Sequence, residues 1–243
     1  MSVNKVAVVL GVGALQGLGA AVAIRFAREG YTAIVAGRTE ASLKTVVEEI
    51  QRQGFRAQPV VTDSTSEEQI TKLLASAEQV GPVEVAVFNA GGNNPRGSLD
   101  TTGEFFEDMW RVGAFGGFVF AREAVKLMKA RGQGTLLFTG ASASLRGKPD
   151  FVAFASAKAA LRAVTQSFAR EFGPKGIHVA HVVIDGAING HRINTIVPQL
   201  AKMKGESGLL KLEAIAEAYW QLHVQDKTAW SQEIDLRPFK EPF

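Results

Sequence analysis

Short apolar runs, most of them nearly unbroken, alternate with longer helical patterns, and this alternation constrains the chain more than any other feature. Val6-Ala7-Val8-Val9-Leu10 reads as a first strand, and residues 17–29 as a helix that stops near Gly30. Thr32 to Ala36 is a second strand, followed by a helix from about Glu40 to Gln53 with Gly54 as its stop signal. A third strand spans Arg56 to Val61 and a helix spans Ser66 to Val80, where Ser66 and Gln69 have the spacing of a capping box. Val83 to Phe88 is a fourth strand, and helices over about 101–111 and 114–131 lead to a fifth at Thr135 to Thr139. A long helix from Phe151 to Phe172 and a sixth strand from His178 to Ile184 follow. Beyond about residue 190 the pattern loosens, with Pro198 and Gly205 ahead of a helix near 209–223 and a short edge strand at Ile234-Asp235-Leu236.

Strands that are apolar at nearly every position, rather than at alternate ones, belong in a parallel sheet covered on both faces. Repeated β-α units with right-handed crossovers build such a sheet as a doubly wound α/β fold. The expected architecture is a single Rossmann-type domain over residues 1–243 with a mostly parallel sheet. No repeat, linker or low-complexity tract interrupts it.

Composition excludes several function classes. The chain has no cysteine, which removes disulfides, thiolate nucleophiles and cysteine-ligated metals and fits a cytoplasmic protein. The apolar run entered at Met1-Ser2-Val3-Asn4-Lys5-Val6 is too short for a signal h-region, and no later run approaches the ~20 apolar residues of a membrane span. The net charge of +3 is not gathered into a basic stripe, so neither nucleic acid nor membrane is an expected partner. His178 and His181 are three apart on a strand, which points them to opposite faces, and with His191 they offer no metal-ligand spacing. No Gly-x-Ser-x-Gly elbow is present, which argues against a serine hydrolase. The pairs Phe105-Phe106 and Tyr219-Trp220 read as packing or interface residues.

The first strand runs into Gly11-Val12-Gly13-Ala14-Leu15-Gln16-Gly17-Leu18-Gly19, with the useful spacing Gly13-x-x-x-Gly17-x-Gly19. Glycines here permit a tight turn and bring backbone against a pyrophosphate. That pyrophosphate lies at the N-terminus of the next helix, where free N–H groups and the dipole favour anions. Gly13, Gly17, Leu18 and Gly19 are therefore candidate cofactor contacts. The second strand ends Ala36-Gly37-Arg38-Thr39. A carboxylate there would serve a ribose 2′-OH, whereas Arg38 suits a 2′-phosphate unless it is a solvated arginine at a helix start, so NADP is favoured over NAD. Asp63, at the end of the third strand, is a candidate acceptor for the adenine amino group or else a turn cap. Asn89, Ala90 and Gly91 close the fourth strand with small residues that let backbone pass close to a ribose.

In order and spacing, Gly13-x-x-x-Gly17-x-Gly19, Asn89-Ala90-Gly91 and Phe154-Ala155-Ser156-Ala157-Lys158-Ala159-Ala160-Leu161 resemble the short-chain dehydrogenase/reductase family. The resemblance covers nearly the whole chain and is weakest after residue 190. It implies a sheet of about seven strands, an NAD(P) cofactor, a small-molecule carbonyl or alcohol substrate, a homodimer or homotetramer, and an Asn-Ser-Tyr-Lys tetrad. Helices 114–131 and 151–172 are the oligomer faces it implies. Lys158 matches the lysine, but Phe154 stands at the tyrosine, Ala141 at the serine with Ser142 and Ser144 nearby, and Gly113 at the asparagine. Phe88 replaces the first residue of an Asn-Asn-Ala-Gly motif, and Ile184-Asp185-Gly186 replaces a Pro-Gly turn. These departures resemble a divergent subgroup with phenylalanine for the tyrosine and the lysine kept. The shifted tyrosine of the enoyl-reductase branch would fall on Phe151, and Tyr31 and Tyr219 are not expected to reach the site within one protomer.

In the family's site the tyrosine protonates the carbonyl as hydride arrives, and a phenyl ring cannot do so. General acid catalysis is worth about 10²–10⁴-fold, so another donor has to stand in. Ser142 is the first substitute, through its hydroxyl or a water, unless it is a backbone-bonded loop serine. Asp185 is the second, at the C-terminal edge of the sheet, unless it is a turn or capping carboxylate. Lys158 is expected to hold ribose hydroxyls, unless it is a surface lysine reaching water, and Phe154 to stack near the nicotinamide or fill core. Residues 189–208 form the expected substrate loop, in which His191, Arg192 and Lys202 either steer an anionic ligand or face water. The expected function is an NAD(P)-dependent oxidoreductase with a degenerate tetrad; the alternative is a catalytically inactive NADP-binding protein, a cofactor sensor or partner subunit.

Overall fold

The computed structural model of the chain describes residues 4–241; Met1-Ser2-Val3 of the N-terminal run, and Pro242 and Phe243, lie outside the described residues. The first half alternates β1 (Val6–Leu10), α1 (Leu18–Arg28), β2 (Thr32–Gly37), α2 (Glu40–Arg52), β3 (Ala57–Val61), α3 (Glu67–Val80) and β4 (Val83–Phe88). The second half carries α4 (Gly103–Trp110), α5 (Gly116–Arg131), β5 (Gly134–Thr139), α6 (Val152–Phe172) and β6 (Ile177–Ile184). Then come β7 (Ile188–Asn189), α7 (His191–Ile196), α8 (Pro198–Lys204), β8 (Leu210–Lys211), α9 (Leu212–His223) and β9 (Glu233–Leu236).

Seven strands form one sheet in the order β3-β2-β1-β4-β5-β6-β9, and every neighbouring pair is parallel. The apolar runs follow directly from this arrangement. Along β1, Ala7 and Val9 join a core formed with α1, α2 and α9, while Val6, Val8 and Leu10 join a second core formed with α3, α5 and α6. Side chains alternate between faces and both faces are dry, so each position must be apolar. The chain reverses its direction of winding between β1 and β4, and the crevice at the C-terminal ends of these strands is where an open α/β sheet binds ligands.

Three details depart from the expected pattern. The helices over 101–111 and 114–131 are joined without a break by a π turn, Arg111–Phe115, which holds Gly113. The capping box is half formed: Ser66 Oγ accepts from Gln69 N at 3.3 Å, but the Gln69 amide oxygen accepts from Asp63 N–H at 2.8 Å. The tail is also more regular than its composition suggests. Strands β7 and β8 pair with each other in a small parallel ribbon, with α7 and α8 between them. The edge strand at Ile234-Asp235-Leu236 forms as β9, one residue longer at its start, and completes the main sheet beside β6.

Candidate active site

Two cavities lie along the C-terminal edge of the sheet. The first, of about 260 Å³, is lined by Leu10 to Gly13, Gly37 to Thr39, Thr62, Ser64, Asn89 to Gly91 and Val112. The second, of about 330 Å³, is lined by residues that follow β5 and β6, among them Ser142, Arg146, Phe154 and Asp185.

Backbone makes the first cavity. Gly11 has φ +104°, and a Cβ there would stand 2.3 Å from Ala90 N, so this glycine is demanded by the protein itself. Gly13 is different: a Cβ would meet no protein atom within 4 Å, yet the residue lines the cavity. Gly17 caps α1 in an extended conformation with no side-chain cap, which leaves the helix's first N–H groups facing outward. Gly19 lets α1 approach the strand, since its Cβ would fall 2.8 Å from Gly11 O. Leu18 buries its side chain in the core and, like Gly17 and Gly19, is not among the residues that line the cavity. Arg38 lines the cavity, is exposed, and has no hydrogen-bond or ion-pair partner among the described residues. Asp63 is absent from the lining; its Oδ1 accepts from Thr65 N and Oγ1, both at 2.8 Å, in a local turn.

Asn89 belongs to a buried chain that reaches the C-terminal helix. Its Nδ2 donates to Gly11 O at 2.9 Å, which orients the amide so that its oxygen accepts from Thr139 Oγ1 at 2.8 Å. The threonine proton is thereby committed, so the Tyr219 hydroxyl, 2.7 Å away, must donate to Thr139 Oγ1. Tyr219 thus does reach the site within one protomer, contrary to the expectation from sequence. It arrives from behind the sheet, fully buried, and burial pushes its phenol pKa up. It positions other residues rather than supplying protons to the cavity.

Lys158 lines neither cavity but stands between Gly91, which lines the first, and Phe154, which lines the second. Its Nζ donates to Thr139 O at 2.7 Å and lies 3.3 Å from where a Gly91 Cβ would be, on the side of the first cavity. On the other side it is 6.0 Å from the ring centroid of Phe154. Burial lowers its pKa to about 8. Gly113 packs against the same helix: a Cβ at this π-turn position would be 3.2 Å from Ala157 Cβ.

Side chains make the second cavity. Phe154 lines it beside Phe151, the two rings edge to face at 6.4 Å. Ser142 also lines it and makes no side-chain hydrogen bond among the described residues. Ser144 does not line it: Ser144 Oγ accepts from Ala141 N at 3.2 Å and lies 3.4 Å from His181 Nε2. His181 in turn donates from Nδ1 to Glu233 at 2.9 Å; burial holds its pKa low. This Ser-His-Glu array resembles hydrolase machinery in outline, but Ser144 and His181 are buried. His178 sits apart from it, stacked on Trp230 at 4.7 Å. Among the described residues no group of three His, Cys, Asp or Glu could hold a metal, and no helix is long and apolar enough to cross a membrane.

Asp185 corrects the expectation of a spare proton donor. It is buried, and Arg146 Nη2 reaches Oδ1 at 3.1 Å and Oδ2 at 3.3 Å, while Arg237 Nη2 also binds Oδ2. Both oxygens are committed to guanidinium partners, so the carboxylate acts as a charge partner. Sequence reading missed Arg146, and also the docking of the 189–208 loop. His191 N–H donates to Gln16 O at 2.7 Å, and the Arg192 guanidinium donates to Asn93 O, which ties the loop to the glycine turn and to the second cavity. The His191 side chain and Lys202 are exposed, and neither lines a cavity described above.

A parallel sheet with a glycine turn at its switch point and a buried lysine beside it defines a nucleotide-binding α/β protein of the oxidoreductase type. The family model for short chain dehydrogenases matches residues 5–195, and the chain belongs to that family. A short-chain dehydrogenase structure from Rhodopseudomonas palustris is 41% identical with a TM-score of 0.82, over 97% of this chain and 99% of that one. A short-chain dehydrogenase/reductase of Hericium erinaceus is 36% identical over 183 residues, 73% of this chain and 72% of the relative. An alcohol dehydrogenase from the archaeon Thermococcus sibiricus, solved with 5-hydroxy-NADP, is 27% identical with a TM-score of 0.85, over 98% of each chain. Family members are oxidoreductases that use NAD(P) and act on small molecules.

Proposed function

We propose that the chain is an NADP-preferring oxidoreductase acting on a small carbonyl or alcohol compound, with a proton-transfer site that differs from the family's. The observation that carries this reading is Lys158, buried between a backbone-lined cavity and a second cavity walled by Phe154. The first cavity fits a dinucleotide: Gly13 leaves open the space a Cβ would fill, and α1 presents uncapped N–H groups. When bound, NADP(H) would supply or take the hydride. Gly13, Gly17, Leu18 and Gly19 would hold its pyrophosphate through backbone, and Arg38 a 2′-phosphate. Asn89, Ala90, Gly91 and Lys158 would hold the nicotinamide ribose, while Asp63 keeps its turn and contributes little. Phe154 keeps water away from the reacting carbon, and Ser142, the uncommitted hydroxyl of the second cavity, holds or relays the proton. One domain over residues 1–243, a cytoplasmic location and a homodimer or homotetramer accompany this reading; half-exposed Phe118 on α5 and Phe168 on α6 suit such a face.

A second reading, an inactive NADP-binding sensor or partner subunit, draws on Phe154, Gly113 and Ala141 together. The two are separated by incubating the protein with NADPH and a carbonyl panel and following the reduced-nicotinamide absorbance. Turnover supports the first reading; tight binding without turnover supports the second. Phe154→Tyr restores a phenol, and if that is the main defect turnover rises by about 10²-fold. No rise implicates Gly113 and Ala141 as well.

A further inference from the structure

We infer that the cavity beside Phe154 is built for a carbonyl or alcohol compound that carries a carboxylate, with Arg146 as the receptor. This rests on the oxidoreductase reading for the reacting group, and on charge and geometry for the recognition. The chain departs from the family's Pro-Gly turn at Ile184-Asp185-Gly186, and the structure shows what the departure brings. Buried Asp185 grips Arg146 through Nη2 alone, at 3.1 and 3.3 Å, and leaves Nη1 and Nε of this guanidinium without a partner among the described residues. A guanidinium held in place by a buried carboxylate, with donors to spare at a cavity wall, is pre-organised for a second carboxylate.

The surrounding charges point the same way. Arg237 is shared between Asp185 and Asp235, the latter at 3.7 Å, so that cluster is close to balanced. Lys204 is matched by Glu241 at 2.5 Å. The ammonium of Lys148, two residues after Arg146 and lining the same cavity, has no partner among the described residues. Among the described residues Arg192 meets only the carbonyl of Asn93, another lining residue, which carries no countercharge. Phe151, Phe154, Ile193 and Leu200 supply an apolar wall. A ligand with a short hydrocarbon frame and one carboxylate satisfies both halves, whereas a cation or a neutral polyol leaves one unmatched.

Matched probes test this: phenylglyoxylate and phenylglyoxylamide, alike except for the carboxylate, titrated by calorimetry into protein with oxidised NADP so that no turnover intervenes. The carboxylate is expected to bind at least about tenfold tighter at low salt, with the ratio shrinking as salt is raised. Arg146→Gln should bring the ratio near one, and Arg146→Lys should leave it intermediate. Equal affinities in the parent protein, or an undiminished ratio in a folded Arg146→Gln, overturn the inference. If Arg146→Gln does not fold, Lys148→Gln at an exposed position decides: the ratio should drop at least about threefold, and an unchanged ratio overturns the proposal. NADPH binding is read separately by its fluorescence. Carboxylate preference without NADPH binding sinks the oxidoreductase reading and spares the receptor; NADPH binding without carboxylate preference does the reverse.

Discussion

The two cavities share one sheet edge and flank the same buried lysine, yet they are made of different material. The cavity at the glycine turn is walled largely by main chain, brought close by residues without side chains. The cavity beside Phe154 is walled by side chains, among them two phenyl rings and an aspartate ion-paired to arginine. A backbone-built site depends on φ angles and close approach, while a side-chain site can be rebuilt within an unchanged fold.

The sharpest way to break this contrast compares two glycines. Gly11→Val, with φ +104° and Ala90 N at 2.3 Å, should cost at least about 3 kcal/mol in urea unfolding. Gly13→Val meets no protein atom within 4 Å and should keep its melting temperature while weakening NADPH at least about 100-fold, close to the value of two charge-assisted hydrogen bonds. A Gly13→Val protein that binds NADPH normally would remove the dinucleotide from the first cavity.

Arg38→Asp sharpens the identity of the coenzyme. Loss of the guanidinium should shift preference from NADPH toward NADH by about tenfold or more, and unchanged selectivity in paired titrations would refute the role. Lys158 then tests the junction through pH. Its free-state pKa is lowered to about 8, so the ammonium is present below that pH and is lost above it. If the charged form holds the ribose, NADPH affinity is flat below pH 8 and falls above it, by up to about tenfold per pH unit. Lys158→Met should abolish that slope; a slope that persists places the titrating group elsewhere. The smallest effect belongs to Tyr219→Phe, which deletes one donor from the Tyr219–Thr139–Asn89 chain. Stability should fall by about 1 kcal/mol, with dinucleotide affinity changed less than about twofold. A large loss of turnover at unchanged stability would instead make Tyr219 part of the proton path.

The fold was legible because its causes are local or periodic. Unbroken runs such as Val6–Leu10 report burial on both faces, and Gly30, Gly54 and Gly132 stop helices with positive φ. The ribbon of β7 and β8 was not legible, since two-residue strands carry no period. At the site, the glycine turn could be placed from its spacing after a strand, and Lys158 from the family resemblance. Tyr219 could not: 80 residues separate it from Thr139, and no local pattern records a contact across that span. Arg146 was hidden for the same reason, 39 residues from the Asp185 that fixes it.

By itself the sequence determined the strand and helix pattern, the backbone positions that only glycine tolerates, and the presence at residue 154 of a phenyl ring that cannot move a proton. These follow from properties each residue carries wherever it sits: its hydrophobicity, its allowed φ, its functional group. Tertiary structure alone decided which groups share a boundary. It put Lys158 between two cavities, turned Asp185 from a free carboxylate into the partner of two arginines, and brought Tyr219 behind the glycine turn. Protonation, reach and availability are set by neighbours within a few ångströms, and in a parallel sheet those neighbours come from distant parts of the chain.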